Sequence, residues 1–364
     1  NAKVAYLHPI EDSALNTNVN KFVKYEPKSE EGVMALLASI FVDKNALSVE
    51  QKSFFDELDV GYVSSESSFD EAEQEAIVKM FTRAKNKSII LGADLYAHPR
   101  AENIARLAAL FEKASGFKVL IIPSQTNTLG VSMICDLDEK AEGFTVGYNE
   151  EGDFVLTSLG SDERDNALDM PALNQQEGTF VNIDKRVVPL NAAIGFGGYE
   201  LNDLANALGI KKEFTIDYTK ELFDGVAFDD LPNRFLNDGT EDRGYVLKAK
   251  EVEANGKLED VAELEEMNGT LIYVSTPVGQ FNKWTKKSKN LKYQNGQILG
   301  SKAFMGAAKI TDSEKICVVS EKGELLGNYK LCENLKGTVA IVSTLDFSAD
   351  GYRFQRAKIS VQGN

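Results

Sequence analysis

The sequence predicts a mixed α/β protein in which a Rossmann-like, doubly wound parallel sheet domain precedes a small C-terminal β-barrel. Two observations carry this prediction. In the N-terminal part, short apolar stretches alternate with segments of helical periodicity, the pattern of strands buried on both faces and joined by helices. In the C-terminal part, short strand-like stretches follow one another with turn signals between them. We place the domains at residues 3–165, 166–240 and 241–364, the middle one being a loop-rich connecting segment.

Each N-terminal element has a local signal. His8-Pro9 ends the first strand, apolar residues recur at helical spacing in the segments that follow, and Gly116 is the expected stop of the last helix. In chain order we predict a strand at 4–7, helices at 33–41 and 69–84, a strand at 88–92, a helix at 104–111 and a strand at 118–122.

The remaining predicted elements are shorter. An apolar stripe predicts a helix at 201–208 that stops at Gly209, and Asn-Asp-Gly predicts a turn at 237–239. The strongly charged stretch 241–268 is predicted to be a solvated connector with some helix. The predicted barrel strands lie at 270–274, 315–320, 338–343 and 353–361, with turns at 321–324 and 334–337.

Composition excludes several classes of protein. The chain has 364 residues and a formal charge of −16, which argues against nucleic acid and anionic membrane surfaces as partners. The negative charge has two interpretations: it keeps the chain soluble, or it suits a subunit packed among other subunits. No apolar run approaches the ~20 residues that a membrane-spanning helix needs. The chain begins without an initiator methionine, so we expect a piece of a longer protein.

The three cysteines, Cys135, Cys317 and Cys332, are well separated and form no C-x-x-C motif. Their odd number and spacing favour a reducing compartment and structural thiols. Iron–sulfur clusters and tetrahedral zinc sites need clustered ligands, so we expect neither within this chain.

Other candidate sites are weak. The first strand is not followed by the glycine-rich dinucleotide fingerprint, and Gly195 to Gly198 follow no predicted strand, so we interpret them as a flexible turn. His8 and His98 each precede a proline in loops that can lie at the carboxyl edge of a parallel sheet, where ligands bind. Two roles are open for these histidines: catalysis or electron relay at that edge, or simply closing a turn. Trp284, among lysines of the stretch 281–293, is a candidate anchor for an acidic neighbour, or part of an exposed loop.

Two stretches resemble the α/β domain of the molybdopterin oxidoreductase superfamily. Residues 88–94, with His98-Pro99 and the helix after them, are similar to its strand, glycine and helix. The loop 123–130, with Asn127 and Gly130, resembles the segment that follows the next strand there. Further along, residues 303–320 and the Gly323 turn resemble the C-terminal double-psi barrel of the same superfamily.

The most specific resemblance lies at residues 170–186, which read MPALNQQEGTFVNIDKR and are similar to the superfamily's "LP…EGT…N…R" signature. The motif residues are Glu177, Gly178, Thr179, Asn182 and Arg186. The wording LNQQEGTFVN most resembles the large peripheral-arm iron–sulfur subunit of respiratory NADH–quinone oxidoreductase, complex I. We expect Glu177-Gly178-Thr179 to make a tight turn, with Thr179 and Asn182 bonding backbone across it. Arg186 is expected to form a forked pair with a carboxylate such as Glu177.

The resemblance to this complex I subunit implies a non-catalytic scaffold whose fold persists while the molybdenum site is lost. It implies no catalytic, cofactor-binding or metal-binding residue in this chain, no molybdopterin, and iron–sulfur clusters in a part that precedes it. The implied partners are other peripheral-arm subunits, with the membrane touched only indirectly through the complex. The implied location is cytoplasmic, on the inner face of the bacterial membrane.

Two other functions stay open. In the first, the chain is part of a genuine molybdopterin-dependent oxidoreductase, of the formate dehydrogenase or nitrate reductase type. Alternatively, it is a small-molecule-binding α/β protein whose sheet edge near His98 and Asn127 holds a ligand.

Overall fold

Contacts divide the chain into two compact units. Unit 1 is built from both ends of the chain, residues 1–121 and 253–364, and unit 2 is residues 122–252. The domain boundaries predicted at 165 and 240 stay predictions. The computed structural model describes residues 2–11, 17–123, 127–134, 142–158, 165–209, 226, 230–247, 257–277, 296–348 and 351–361.

The N-terminal half of unit 1 is an α/β arrangement with two short parallel sheets. The elements are β1 (Ala5–Leu7), β2 (Lys21–Val23), α1 (Glu30–Phe41), α2 (Val49–Glu57), α3 (Val60–Ser67), α4 (Glu71–Phe81), β3 (Lys87–Leu91), α5 (Ala101–Ser115) and β4 (Phe117–Ile121). Strand β1 pairs with β2, and β3 pairs with β4.

Local chemistry sets these boundaries. Ser48 and Gln51 form a capping box at the start of α2, and the Asp70 carboxylate accepts from the backbone N–H of Glu73 at the start of α4. Helix α5 ends at Gly116, which has φ +74°, as the sequence predicted. One face of α1 and α5 packs on the sheets in a core that includes Leu36, Leu107 and Phe111.

The parallel strands are confirmed, but the expectation that both faces of the sheet are covered is wrong for β3 and β4. Ile90, Leu120 and Ile121 are exposed, with 63% of the Ile90 surface open. Apolar strand residues therefore did not mean two-sided burial, because the helices cover only one face of this pair of strands.

Unit 2 contains a three-stranded parallel sheet, a three-stranded antiparallel sheet and two short α-helices among its described residues. The helix predicted at 201–208 is confirmed. The elements are α6 (Thr128–Ile134), β5 (Val146–Tyr148), β6 (Phe154–Thr157), β7 (Ala167–Asp169), β8 (Gly178–Val181), β9 (Arg186–Leu190), α7 (Leu201–Ala207) and β10 (Tyr245–Val246). Its small core includes Val181, Val187 and Leu247.

The C-terminal half of unit 1 is a seven-stranded sheet that nearly closes into a barrel. The elements are β11 (Leu271–Ser275), β12 (Gln297–Gly300), α8 (Lys302–Ala308), β13 (Lys315–Ser320), β14 (Gly323–Leu331), β15 (Val339–Ser343), β16 (Phe354–Arg356) and β17 (Lys358–Val361). The strand order is β16-β11-β15-β12-β14-β13-β17.

One chain segment pairs with both ends of the sheet. The single strand predicted at 353–361 is in fact two strands, β16 and β17, separated only by Ala357. Strand β16 pairs with β11 at one edge of the sheet and β17 pairs with β13 at the other. Inside, Gly300 of β12 is needed because a Cβ there would lie 2.2 Å from the Tyr329 ring. The core also contains Ile272, Ile298 and Phe304.

The charged stretch has no helix in its described parts, residues 241–247 and 257–268, and residues 248–256 lie outside the described residues. Residues 257–268 are extended and anchored, not simply solvated. Asn103 of α5 donates from Nδ2 to the carbonyl of Glu259 (2.8 Å) and accepts from its N–H (2.9 Å). Glu31 of α1 accepts from the N–H of Ala262 (3.0 Å). Leu258 and Val261 pack against the N-terminal core.

Candidate functional site

The polar groups of unit 1 converge where β1, β2 and β3 end. His8 follows β1, Asp94 lies in a short turn after β3, and Glu30 begins α1, the helix that follows β2. The positive end of the α1 dipole favours an acidic residue at that position. The carboxyl ends of parallel strands are where open α/β sheets bind ligands, as the sequence suggested for His8.

Asp94 is the centre of the first cluster, which we call the Asp94 cluster: His8, Asp94, Tyr273 and Arg353. The Nε2 of His8 lies 3.1 Å from Asp94 Oδ2, and the Tyr273 hydroxyl donates to the same oxygen at 2.8 Å. The Arg353 Nε lies 3.1 Å from Asp94 Oδ1. Both carboxylate oxygens therefore have partners, two of them from the C-terminal half of the chain.

The environment of Asp94 lowers its pKa. Burial alone would raise it, but the hydrogen bond and charge of His8, the Tyr273 hydroxyl and the Arg353 guanidinium together outweigh that penalty. The same carboxylate acts in the opposite direction on its neighbour. Burial, then the negative charge and hydrogen bond of Asp94, raise the pKa of Tyr273 far above its usual range, so this phenol stays protonated.

Glu30 is the centre of the second cluster, the Glu30 cluster: Lys28, Glu30, His98 and Tyr352. The Tyr352 hydroxyl donates to Glu30 Oε1 at 2.5 Å and accepts from the Lys28 backbone N–H at 2.7 Å. Burial and the adjacent Glu30 raise the pKa of Tyr352 strongly. Only 2% of the Glu30 side chain is exposed.

The hydrogen bonds of His98 define its state. Its Nδ1 accepts from the backbone N–H of Arg100 (3.0 Å), which leaves Nε2 as the donor nitrogen. The Nε2 donates to the carbonyl of Lys28 (3.1 Å). It lies 3.3 Å from Glu30 Oε2, but that oxygen accepts no hydrogen bond from any described residue. Glu30 therefore retains a buried oxygen without a donor among the described residues.

Aromatic rings connect the two clusters. Phe354 lies 4.6 Å from Tyr273 and 5.9 Å from Tyr352, measured between ring centroids. His8 packs edge-on against Tyr273 (5.5 Å), and His98 packs edge-on against Tyr352 (5.6 Å). Both histidines of the chain thus belong to one aromatic and polar layer between the two halves of unit 1.

The structure places the family-motif residues in unit 2, on the β8–β9 hairpin. Glu177, Gly178 and Thr179 lead into the extended strand β8, so the tight turn expected there is wrong. The turn lies at 182–186 instead. There Asn182 Oδ1 accepts from the N–H of Asp184 (2.9 Å) and of Arg186 (3.0 Å). Asn182 therefore does hydrogen-bond to the backbone across a turn, but that turn is at 182–186 and not at 177–179.

The expected pairing of Arg186 with Glu177 is wrong. The Arg186 Nη1 donates to the carbonyl of Arg243 (3.0 Å), next to β10. Asn182 also donates from Nδ2 to Glu241 (2.9 Å). These bonds fasten the hairpin to the segment before β10, and nothing in them marks a reactive group. The sequence did not reveal these partners, because they come from about sixty residues further along the chain.

Other predicted sites have simpler outcomes. Asn127, at φ +65°, accepts from the N–H of Val181 (2.9 Å), and Gly130 is required because a Cβ would lie 2.2 Å from Asn127 Oδ1. Cys317 and Cys332 are free thiols. Cys135 and the stretch with Trp284 lie outside the described residues. Among residues that the structure does describe, no group of His, Cys, Asp and Glu side chains is arranged to hold a metal ion.

Glu30, Tyr273, Tyr352 and Arg353 are not among the candidate residues that the sequence indicated, and Asp94 is there only one residue of the family-like stretch 88–94. A signal existed for Asp94 and Glu30, which are acidic residues directly after a predicted strand and near a predicted helix start. No local signal identified the others, because their role depends on the packing of distant segments.

Comparison with known proteins adds no assignment. No protein-family model matches the chain. No curated protein matches it. In the described part of the chain, no helix has both the length and the apolar character needed to cross a bilayer.

Proposed function

We propose that the chain is a non-catalytic scaffold part of the large peripheral-arm iron–sulfur subunit of NADH–quinone oxidoreductase. In this proposal it supports iron–sulfur clusters that lie outside it and pass electrons from a donor to quinone, on the cytoplasmic face of the bacterial membrane. Electron transfer slows steeply with distance, so such a part contributes by holding neighbouring domains in a fixed arrangement. The resemblance at residues 170–186 suggests the family.

The observation that supports a structural role is the use made of the buried carboxylates of unit 1. Asp94 and Glu30 form cross-links between residues 1–121 and 253–364: Asp94 to Tyr273 and Arg353, and Glu30 to Tyr352. Each cross-link joins segments at least 179 residues apart. The buried ties favour one rigid unit.

The finer fold assignment belongs to this proposal. The barrel contains two parallel pairs, β11 with β15 and β12 with β14, joined by the antiparallel contact of β12 with β15. This arrangement supports the double-psi barrel that the sequence suggested.

A surface for a neighbouring subunit is available on unit 2. Among the described strands, β5 lies at the edge of its sheet, and Val146 and Tyr148 are exposed on one face of it, with Phe144 just before (75% exposed). Contiguous exposed apolar side chains on an edge strand are typical of surfaces that another chain covers. Other exposed apolar side chains of unit 2 are Ile194, Tyr199, Leu201, Leu208 and Phe235.

The test mixes the purified chain with the isolated peripheral-arm subunits and follows complex formation by size-exclusion chromatography. We expect co-elution, and we expect Val146→Asp to weaken it. Val49→Asp is the matched control, because Val49 is also an exposed valine but lies at the start of α2 in unit 1. The purified chain should contain no stoichiometric iron, molybdenum or pterin. The proposal would be contradicted by a bound pterin. It would also be contradicted if the chain associated with none of these subunits.

A further inference from the structure

A cavity of about 610 Å³ runs through the N-terminal half of unit 1. Consecutive residues of two strands line it, 3–8 around β1 and 88–95 around β3. Side chains alternate between the two faces of a strand, so a cavity against one face would be lined by every second residue. Because consecutive residues line this cavity, it lies along the edges of the two strands. The volume lies within the range of small-molecule sites.

The long walls of the cavity are apolar. Helix α1 contributes Val33, Met34 and Leu37, and Ile89 and Leu91 come from β3. These residues require an apolar body in any ligand. The length of the walls, about 16 Å for the five steps from residue 3 to residue 8, favours an elongated one.

The end of the cavity near the carboxyl termini of β1 and β3 is aromatic and acidic. Tyr6, His8, Tyr25, Glu30 and Asp94 line it, together with Tyr273. Tyr6 stacks on His8 at 5.7 Å, and Tyr25 meets the same ring edge-on at 6.5 Å. Ring faces of this kind attract organic cations.

Among the described residues, one acceptor at this end is unpaired. The Asp94 carboxylate is fully engaged by His8, Tyr273 and Arg353. Glu30 also lines the cavity, and its buried Oε2 accepts no hydrogen bond from any described residue. Lys28 is near in sequence, but its ammonium pairs with Glu265. Burial, followed by the negative charges of Glu30 and Asp94, raises the pKa of Tyr25 well above its usual range.

We propose that this cavity binds an amphipathic organic cation, an alkylamine with its ammonium at the Glu30–Asp94 end and its chain between β1 and β3. The ligand's ammonium donates to the unpaired Glu30 Oε2 and packs against the tyrosine rings, and its apolar chain fills the space along α1. This binding activity goes beyond the scaffold role and does not depend on it.

The test compares decylamine, decanol and decanoate, each below its critical micelle concentration, by isothermal titration calorimetry on the full chain. We expect decylamine to bind at least tenfold more tightly than decanol, and decanoate not to bind. Equal affinity for decylamine and decanoate would overturn the proposal, because the site would then lack the charge preference on which it depends.

Two variants locate the binding. Glu30→Gln should lower the affinity for decylamine about tenfold and leave the affinity for decanol unchanged. Glu73→Gln is the matched control, since Glu73 also has a buried oxygen without a donor among the described residues but does not line this cavity. Equal decylamine affinity in these two variants would place the cation elsewhere and refute the assignment.

A second variant covers the case in which Glu30→Gln does not fold. Gly92 lines the cavity, has φ −86°, and a Cβ there would meet no atom within 4 Å. Gly92→Leu should therefore fold normally, occupy the mouth of the cavity and weaken decylamine and decanol alike. A folded Gly92→Leu protein with unchanged affinity for decylamine would also refute the proposal.

Discussion

Asp94 pairs with two residues from the opposite end of the chain within unit 1. It lies at least 179 positions from each C-terminal partner yet pairs with both Arg353 and Tyr273. Neither Asp94 nor Arg353 is more than about a fifth exposed. Removing one member of a buried ion pair is costly because the other charge stays behind without compensation.

We predict that Asp94→Asn lowers the free energy of unfolding of unit 1 by about 3 kcal/mol at neutral pH, measured by urea denaturation. Asp242→Asn is the control. Asp242 pairs with Arg234, which is 71% exposed, and such surface pairs contribute about 0–1 kcal/mol. An Asp94→Asn protein as stable as the control would mean that the cluster does not hold unit 1 together.

The lowered pKa of Asp94 gives this stabilisation a pH dependence. The unfolded carboxyl titrates near pH ~4 and the folded one below that, so the unfolded chain takes up the proton first as the pH falls. The stabilisation is therefore fully present above about pH 4–5 and is lost on further acidification. The difference in free energy of unfolding between wild type and Asp94→Asn should become smaller as the pH falls below about 4–5. A difference that stays constant would contradict a lowered pKa of Asp94 as the cause.

At the scale of elements, the extended segment 257–266 behaves as part of the packed structure because α1 and α5 hold its backbone. Asn103 makes two hydrogen bonds to Glu259 and a third from Nδ2 to Glu31 (2.7 Å). Arg100 and Arg106 add ion pairs to the Glu259 carboxylate (2.6 and 2.9 Å).

We predict that Asn103→Ala lowers stability by about 1–3 kcal/mol, because it removes two part-buried hydrogen bonds to the Glu259 backbone and a buried one to the Glu31 carboxylate. Limited proteolysis read by mass spectrometry should show faster cleavage within residues 257–266. Asn45→Ala, at an exposed position before α2, should leave the cleavage pattern unchanged. Cleavage at the same rate in both variants would show that the segment is held by other contacts.

The charge pattern of this segment was visible in the sequence, but its structure was not. A run of acidic residues predicts solvent exposure when considered alone. Here the cations that attract Glu259 come from a helix about 150 residues earlier, and no local pattern reports such a pairing.

At the scale of the whole molecule, unit 1 joins the two ends of the chain, so distant substitutions should act on one cooperative transition. Leu107 and Ile272 are both fully buried, one in the N-terminal core and the other in the barrel. Tyr352 and Phe354 connect these parts. Val187 is buried in the separate core of unit 2.

We predict that Leu107→Ala and Ile272→Ala each lower the stability of both halves of unit 1 by about 2–5 kcal/mol. Hydrogen exchange measured by mass spectrometry in low urea should show faster exchange in residues 17–121 and 296–348 together. Val187→Ala should accelerate exchange in unit 2 alone. Acceleration confined to residues 17–121 in Leu107→Ala would show that the halves unfold independently.

The sequence by itself determined several of the local elements and the α/β class. The strands at residues 88–92 and 118–122, the helix between them and its stop at Gly116 follow from periodicity and from backbone conformations that only certain residues adopt. Only the tertiary structure decided that His8 and His98 belong to one layer, that Arg186 contacts Arg243, and that residues 354–361 pair with both ends of the sheet. These outcomes depend on contacts between segments far apart in the chain, and the free energy of such contacts arises from the packing of whole units and not from any local pattern.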